Sequence, residues 1–419
     1  MVSLGVISTL IYLYSKLWVP GDIDRYPAAL MVLTFFISAW GQRRQLQFDL
    51  IFRLLVLSFV IPPLLFAINY LIDPASAVKY QVLDRLAKFF FWLPVAWWMG
   101  GSAVAARRML VVVLLGFVTA ILVDPNLSQT LEWLWEGKRV DFGIRNAQHA
   151  ALFFGLILTF MLCRFNLLLK RACYPWKAGF PIVGTALCLI GLWSTQTRAA
   201  YLALFICALL FLVIRFRAKP RIITRPAIPV GLLAALCIIG FLVIEPAGKI
   251  IEERFAQERQ SVEMLISGDI EQLPFTSIGV RVHSWMESLH WIAKRPLTGW
   301  GLAARSDVID LAENFPDEVK ADFGHLHNGY LELLIGYGLI GFIFSAVLWV
   351  TLIRRTSRIE DSGLRAFALY GGVFFLVMNL FESYFMFWTG VYAMAVIFSG
   401  AYTLYLRDTL SAELNEATV

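Results

Sequence analysis

The chain has 419 residues, 59% of them hydrophobic and only 16% charged, with a mean hydropathy of +0.70. So little charge cannot cover an ordinary water-facing surface, which places the chain among polytopic membrane proteins. The net charge of +6 does not signal nucleic acid, because the basic residues sit in short clusters between apolar stretches.

A bilayer core takes about 20 apolar residues per helix. In chain order, twelve stretches meet that need: 3–19, 26–41, 50–73, 89–105, 109–124, 146–169, 178–194, 198–214, 227–245, 327–352, 365–382 and 386–406. The first lacks a basic leader and a small-residue cleavage site, so it reads as a retained helix rather than a signal peptide. Pro62-Pro63 and Pro94 predict kinks in the third and fourth stretches. Residues 246–326, between the ninth and tenth spans, form the only segment large enough for a subdomain. Within it, 252–265 is a charged helical pattern. Val282, Trp285, Leu289 and Ile292 recur at near-helical spacing as an apolar stripe, in a helix that Pro296 ends. The expected fold is an all-α polytopic membrane protein of about twelve transmembrane helices with a helical lid between spans nine and ten. It is one integral membrane unit: spans one to nine in 1–245, the lid in 246–326, and spans ten to twelve with a short polar tail in 327–419.

Alternate short loops are basic, at 41–45, 106–108, 170–177, 215–225 and 354–358. The positive-inside rule makes that side cytoplasmic, together with both termini, and puts the lid on the opposite face. Cys163, Cys173, Cys188, Cys207 and Cys237 fall in spans or in a cytoplasmic loop and lack metal-site spacing. They read as small apolar residues, with no disulfide expected.

The external face gathers the polar groups that ask for an explanation. The run His325-Leu-His-Asn328 stands where the polar segment meets the tenth span, and ionisable groups at a membrane boundary are costly to leave unpaired. Gly336, Gly338 and Gly341 follow, suited to close helix packing. Arg198 opens the eighth span and Arg145 the sixth, with His149 four residues on along the same helix face; Arg281 opens the lid's amphipathic helix. Arginines at helix N-termini suit a phosphate, because the macrodipole and free amides add to the guanidinium. A lone interfacial arginine is equally well an anchor that snorkels, but a set of them on the outer face runs against the charge bias. His327, in the positive field of a helix N-terminus, stays neutral and can accept a proton; the plain alternative is a polar helix cap. As a metal pair, His325 and His327 lack a third ligand at suitable spacing. Glu332 and Glu382 lie in or near spans, either as proton relays of a transporter or paired with an external arginine or a hydroxyl.

The residues from His327 to Gly341 resemble the His-Asn signature of the O-antigen ligase and polymerase superfamily. Arg281-Val-His-Ser-Trp285 and Arg295-Pro-Leu-Thr-Gly-Trp-Gly301 resemble that family's lid pattern. Thr197-Arg-Ala-Ala200 resembles its Ser-Arg-Gly-Ala run, with Thr for Ser and Ala for Gly. The resemblance implies a GT-C-like, metal-independent inverting glycosyltransferase without a cofactor, in the bacterial inner membrane with a periplasmic active site. It implies a glycan donor on undecaprenyl pyrophosphate. The acceptor is lipid A-core oligosaccharide for a ligase, a second lipid-linked repeat for a polymerase, and a protein Ser for an O-linked oligosaccharyltransferase. His327 then takes the acceptor proton, Arg198, Arg145 and Arg281 hold the pyrophosphate, and Asn328, His325 and His149 support and orient. Some metal-dependent membrane glycosyltransferases place acidic residues in the first external loop, where this chain has Asp22 and Asp24, a pair common by chance. A transporter of lipid-linked glycans or solutes, the reading from another class, would put its ionisable groups near the membrane midplane.

Overall fold

The computed structural model describes residues 1–19, 21, 23–170, 175–217, 261 and 263–416, with side chains described except at 165–170, 175–181, 271 and 410–416. The expected ninth span at 227–245, most of the 252–265 helix, Cys173, Cys237 and Asp22 lie outside the described residues. Every regular element among those described is helical. In chain order the main helices are α1 (Val2–Ser15), α2 (Arg25–Gly41), α3 (Leu50–Ile72), α4 (Pro74–Tyr80), α5 (Trp92–Trp98), α6 (Ala103–Leu122), α7 (Leu127–Trp135) and α8 (Ala147–Lys170). They continue with α9 (Pro175–Thr195), α10 (Arg198–Arg217), α11 (Ser277–Lys294), α12 (Ala304–Asp310), α13 (Asp317–Asp322), α14 (Gly329–Thr356), α15 (Ser362–Met378) and α16 (Trp388–Glu416). Among the described residues six helices are long and apolar enough to cross a bilayer: α3, α6, α8, α10, α14 and α16; α1, α15 and the Ile182–Thr195 part of α9 are apolar but shorter.

Helix α16 forms the centre. Of its apolar window 94% is inside the protein, against 17% for α10. A helix apolar all round and buried all round belongs in the interior of a bundle. Residues 89–105, expected as one span, fold differently. Helix α5 is only seven residues long, and Gly100 and Gly101 then turn the chain at positive φ before Ser102 caps α6. The segment still passes along α16. Phe89 meets Phe385, the Trp92 carbonyl accepts from Ser399 Oγ at 2.9 Å, and Gly101 N–H donates to Thr403 Oγ1 at 2.8 Å. Trp92, Leu93, Val95 and Ala96 are fully buried, so protein rather than lipid surrounds this broken helix, the condition under which irregular backbone is tolerated at membrane depth. Pro62 and Pro63 lie inside α3, which continues through them.

Two polar ends bound the bundle. At one, Arg107 and Arg164 share Asp361 (3.3 and 3.2 Å), and Arg355 pairs with Asp49 and Tyr402. This end gathers the basic clusters that bracket α3, α6, α8, α14 and α15. The other end carries the histidines and the described part of the segment expected as a lid. Asp24, of the acidic pair expected in the first external loop, is buried against Lys16. Cys163, Cys188 and Cys207 are free thiols.

The end of the segment expected as a lid is stapled into α14. That helix is broken at Gly338 (φ 58°, ψ −160°), and the segment 296–301 runs into the break. Trp300 and Gly301 donate N–H to the Ile335 and Gly336 carbonyls (2.7 and 3.1 Å). Leu339 and Ile340 donate to the Pro296 and Leu297 carbonyls (2.8 and 3.3 Å). Backbone groups freed by the break are thus paired again, as the bilayer interior requires. A Cβ on Gly338 would lie 2.3 Å from the Leu297 carbonyl, and one on Gly299 2.6 Å from the Ile335 oxygen. Gly336 and Gly338 therefore admit residues 297–302 rather than a neighbouring helix, and a Cβ on Gly341 would meet Tyr337 of the same helix, which corrects the expectation from their spacing. The lid helix α11 also presents a different face from the one expected. Gly279, Val280, Ser284 and Ser288 are its buried positions and Leu289 is half exposed, because small residues allow close approach where the Val282, Trp285, Leu289 and Ile292 stripe would not. Arg281 lies in the second turn of α11, which Thr276 caps, and not at its start.

Candidate active site

Four parts of the chain converge at the lid end of the bundle: the turn 323–328 before α14, the corner 379–387 between α15 and α16, the loop 137–146 leading into α8, and the lid helices α11 and α12. The turn is fixed by its own sequence. Asn328 is the N-cap of α14, its side-chain oxygen accepting from the Tyr330 and Leu331 amides at 3.1 and 3.2 Å. The Gly329 amide donates to the Asn379 carbonyl at 2.9 Å, tying the turn to the corner. His327 stands one residue before the cap, at a left-handed φ of 48°. Such a conformation in a bulky residue costs on the order of 1–3 kcal/mol and collects at functional sites. Phe142, Arg145 and Gln196 share this positive φ. Arg145 thus precedes α8 in a non-helical conformation, so the shared helix face expected with His149 does not exist.

Glu382 is the centre of the site. It is fully buried and takes one imidazole on each oxygen: His325 Nε2 at 2.9 Å and His327 Nδ1 at 3.2 Å, the two rings 4.0 Å apart. The Ser383 amide donates to the same carboxylate at 2.9 Å. With its amide oriented to satisfy its neighbours, Gln148 donates to Glu382 Oε2 at 3.3 Å and accepts from Arg281 at 3.1 Å, joining the lid to the bundle. Burial alone would raise the Glu382 carboxyl, but the hydrogen bonds from His325 and His327 outweigh it and hold the group well below the usual carboxylate range. An ionised Glu382 accepts only, so Nδ1 of His327 carries the proton and Nε2 keeps its lone pair. Burial pushes His327 below its ordinary 6.5, against the opposing pull of Glu382. The product is a neutral, carboxylate-backed imidazole, the arrangement a general base needs.

Cationic groups surround it. The Arg145 guanidinium lies 3.9 Å over the Phe387 ring, and that of Arg305 5.7 Å from the same ring. Arg305 pairs with the fully buried Glu332 at 2.9 Å. Arg198 begins α10 at the same end, exposed, beside Thr197, which bonds the Ala147 carbonyl at the start of α8. The structure thus brings Arg145, Arg281, His325 and His327 around one carboxylate, whereas Arg198 stands at the neighbouring corner. His149 is buried beneath the site, its Nδ1 2.6 Å from Thr389 and its ring against Tyr384 and Phe387. Sequence reasoning weighed Glu332 and Glu382 without placing them in the site, and it missed Gln148 and Arg305. The only signal available was charge inside apolar runs. His325, His327 and Glu382 present ligand atoms within 4.8 Å of one another, so a third ligand for a metal does exist, supplied from across the fold. Their 2.9 and 3.2 Å separations are those of hydrogen bonds.

Residues 183–346 match the sequence family described as O-antigen ligase. Over those residues the chain is similar to the O-antigen ligase family. The matched residues include Arg198, Arg281, Arg305, His325, His327, Asn328 and Glu332. Arg145, Gln148, His149 and Glu382 lie outside the matched residues and join them only through the fold. No curated protein is similar enough to this chain to match it.

Proposed function

We propose that the protein is an O-antigen ligase of the bacterial inner membrane, transferring a glycan from undecaprenyl pyrophosphate to a sugar hydroxyl of lipid A-core. The observation that carries this reading is the neutral His327 held on Glu382 within a ring of arginines, at the end of the bundle opposite the basic loops. By the positive-inside rule those loops are cytoplasmic, and the site is then periplasmic.

In the proposed reaction the acceptor hydroxyl gives its proton to His327 Nε2 as its oxygen attacks the anomeric carbon. The bond from that carbon to the pyrophosphate oxygen breaks on the opposite face, so configuration inverts. Undecaprenyl pyrophosphate leaves with the electron pair. Glu382 stabilises the imidazolium that forms, and the arginines stabilise the charge on the leaving group. Arg281, on the lid, acts on His327 through its charge, Arg145 lies over the neighbouring Phe387 ring, and Arg198 reaches the same donor from the α10 corner. Asn328 supports the site as a helix cap and His325 as the second partner of Glu382. No step in this scheme calls for a metal. The two fully buried carboxylates among the described residues, Glu332 and Glu382, sit at the site end, which speaks against the transporter reading.

The reading is tested by a lipopolysaccharide gel from a ligase-deficient strain that still makes polymerised O-antigen. The native chain restores the ladder and an equally expressed His327→Ala variant does not. A well-expressed native chain that gives no ladder, in a host with compatible glycan and core, refutes ligation and leaves polymerisation as the chemistry to assay.

A further inference from the structure

Glu332 is fully buried in the first turn of α14, and it has no part in the transfer scheme above. Three separate parts of the chain end on it. Its Oε1 accepts the Leu326 amide at 3.0 Å, the peptide between the two histidines, and the Ser383 hydroxyl at 2.6 Å. Its Oε2 accepts Arg305 NH1 from lid helix α12 at 2.9 Å. Ser383 in turn donates its amide to Glu382. One carboxylate therefore holds the turn that carries His327, the corner that carries its partner, and the lid.

Helix α12 is itself anchored on its other side, where Asp307 receives both Lys79 and the Tyr80 hydroxyl. Arg305 is thus presented by a braced helix. A buried carboxylate is held by such donors or is very costly to keep charged, so loss of Arg305 leaves Glu332 under-compensated and its grip on the turn weakened. The left-handed His327 is the residue that would feel this first, because its conformation persists only while its surroundings over-determine it.

We propose that Glu332 and Arg305 form a positioning pair that couples the lid to the base, so that His327 is set against Glu382 only while α12 is docked. The inference rests on the reading of His327 as the base. Neither residue touches the reacting atoms; both act through the 325–327 turn.

The test reads the imidazole directly. Full-length native protein and the Arg305→Gln, Arg305→Lys and Glu332→Gln variants are purified and treated with limiting diethyl pyrocarbonate at one fixed pH. Modification at His327 is measured by peptide mass against His290, whose side chain is 71% exposed and serves as internal reference. The His327 to His290 ratio rises about threefold or more in Arg305→Gln and Glu332→Gln, because local opening exposes the turn. Arg305→Lys keeps the cation and stays near the native ratio. In a transfer assay the same two Gln variants lose about tenfold in kcat with KM little changed, the mark of misplaced catalytic geometry. Arg305→Gln alters a partly exposed side chain, so it keeps the test decisive should Glu332→Gln fail to fold. A ratio in folded Arg305→Gln equal to native overturns the proposal. No substrate enters the modification experiment, so a failure of the ligase reading leaves this result interpretable.

Discussion

His327 is neutral for a stated reason: burial disfavours its charged form, and Glu382 fixes which nitrogen keeps the lone pair. The sign of its pH dependence follows. A base with a lowered pKa is lost to protonation only as pH falls below 6.5, so the acid limb of kcat/KM lies on the acid side of the ordinary histidine value and the rate is flat through neutrality. Glu382→Gln removes the charge that pulls the imidazole upward, so the limb moves further to acid. The same change removes the group that stabilises the imidazolium, and kcat falls by roughly two to four decades on the scale of general-base effects. A pH–rate profile of that variant checks both signs at once, and a limb displaced toward alkaline pH would contradict the assignment. At this scale the sequence was partly legible. His325, His327 and the arginines stood out as polar groups at an apolar boundary. Glu382 did not enter the site from the sequence, because 55 residues separate it from His327 and nothing local records that pairing.

At the scale of elements, the break in α14 shows why periodicity misled. Hydropathy reads 327–352 as one span and cannot see that Gly338 opens it to 296–301, or that 89–105 is a broken helix wrapped in protein. The glycines themselves were visible, but their partner in packing was not, since backbone from the lid and another helix both ask for a missing Cβ. The α11 stripe failed for a related reason: serines at the buried positions carry no hydropathy signal. The account predicts that Gly338→Ala is costly. The substituted residue is strained at this φ by on the order of 1–3 kcal/mol, and its Cβ lies 2.3 Å from the Leu297 carbonyl. A lower thermal midpoint of the purified variant, with the lid freed to proteolysis near 296–301, is the expected result. An unchanged midpoint and cleavage pattern would mean that the staple contributes little.

For the whole molecule, what was legible was the division of labour between two ends. Basic loops and ion pairs around Asp361 and Asp49 hold one; the lid, both buried carboxylates and the histidines hold the other. Charge asymmetry along the chain encodes that division directly, which is why it could be read without a structure. How the helices pack could not be read, since α16 at the centre and α10, little buried among the described residues, are both simply apolar in sequence. The central claim is that this fold delivers a lipid-linked glycan to a carboxylate-backed histidine that works as the base without a metal. Its most direct test is the initial rate of transfer from an undecaprenyl-pyrophosphate glycan to lipid A-core, by purified protein in a chelating buffer, for native chain and His327→Ala. The account predicts that native protein turns over in chelator and that His327→Ala is slower by roughly two to four decades. Near-native turnover of the variant, or native activity that appears only on adding a divalent metal, would contradict it.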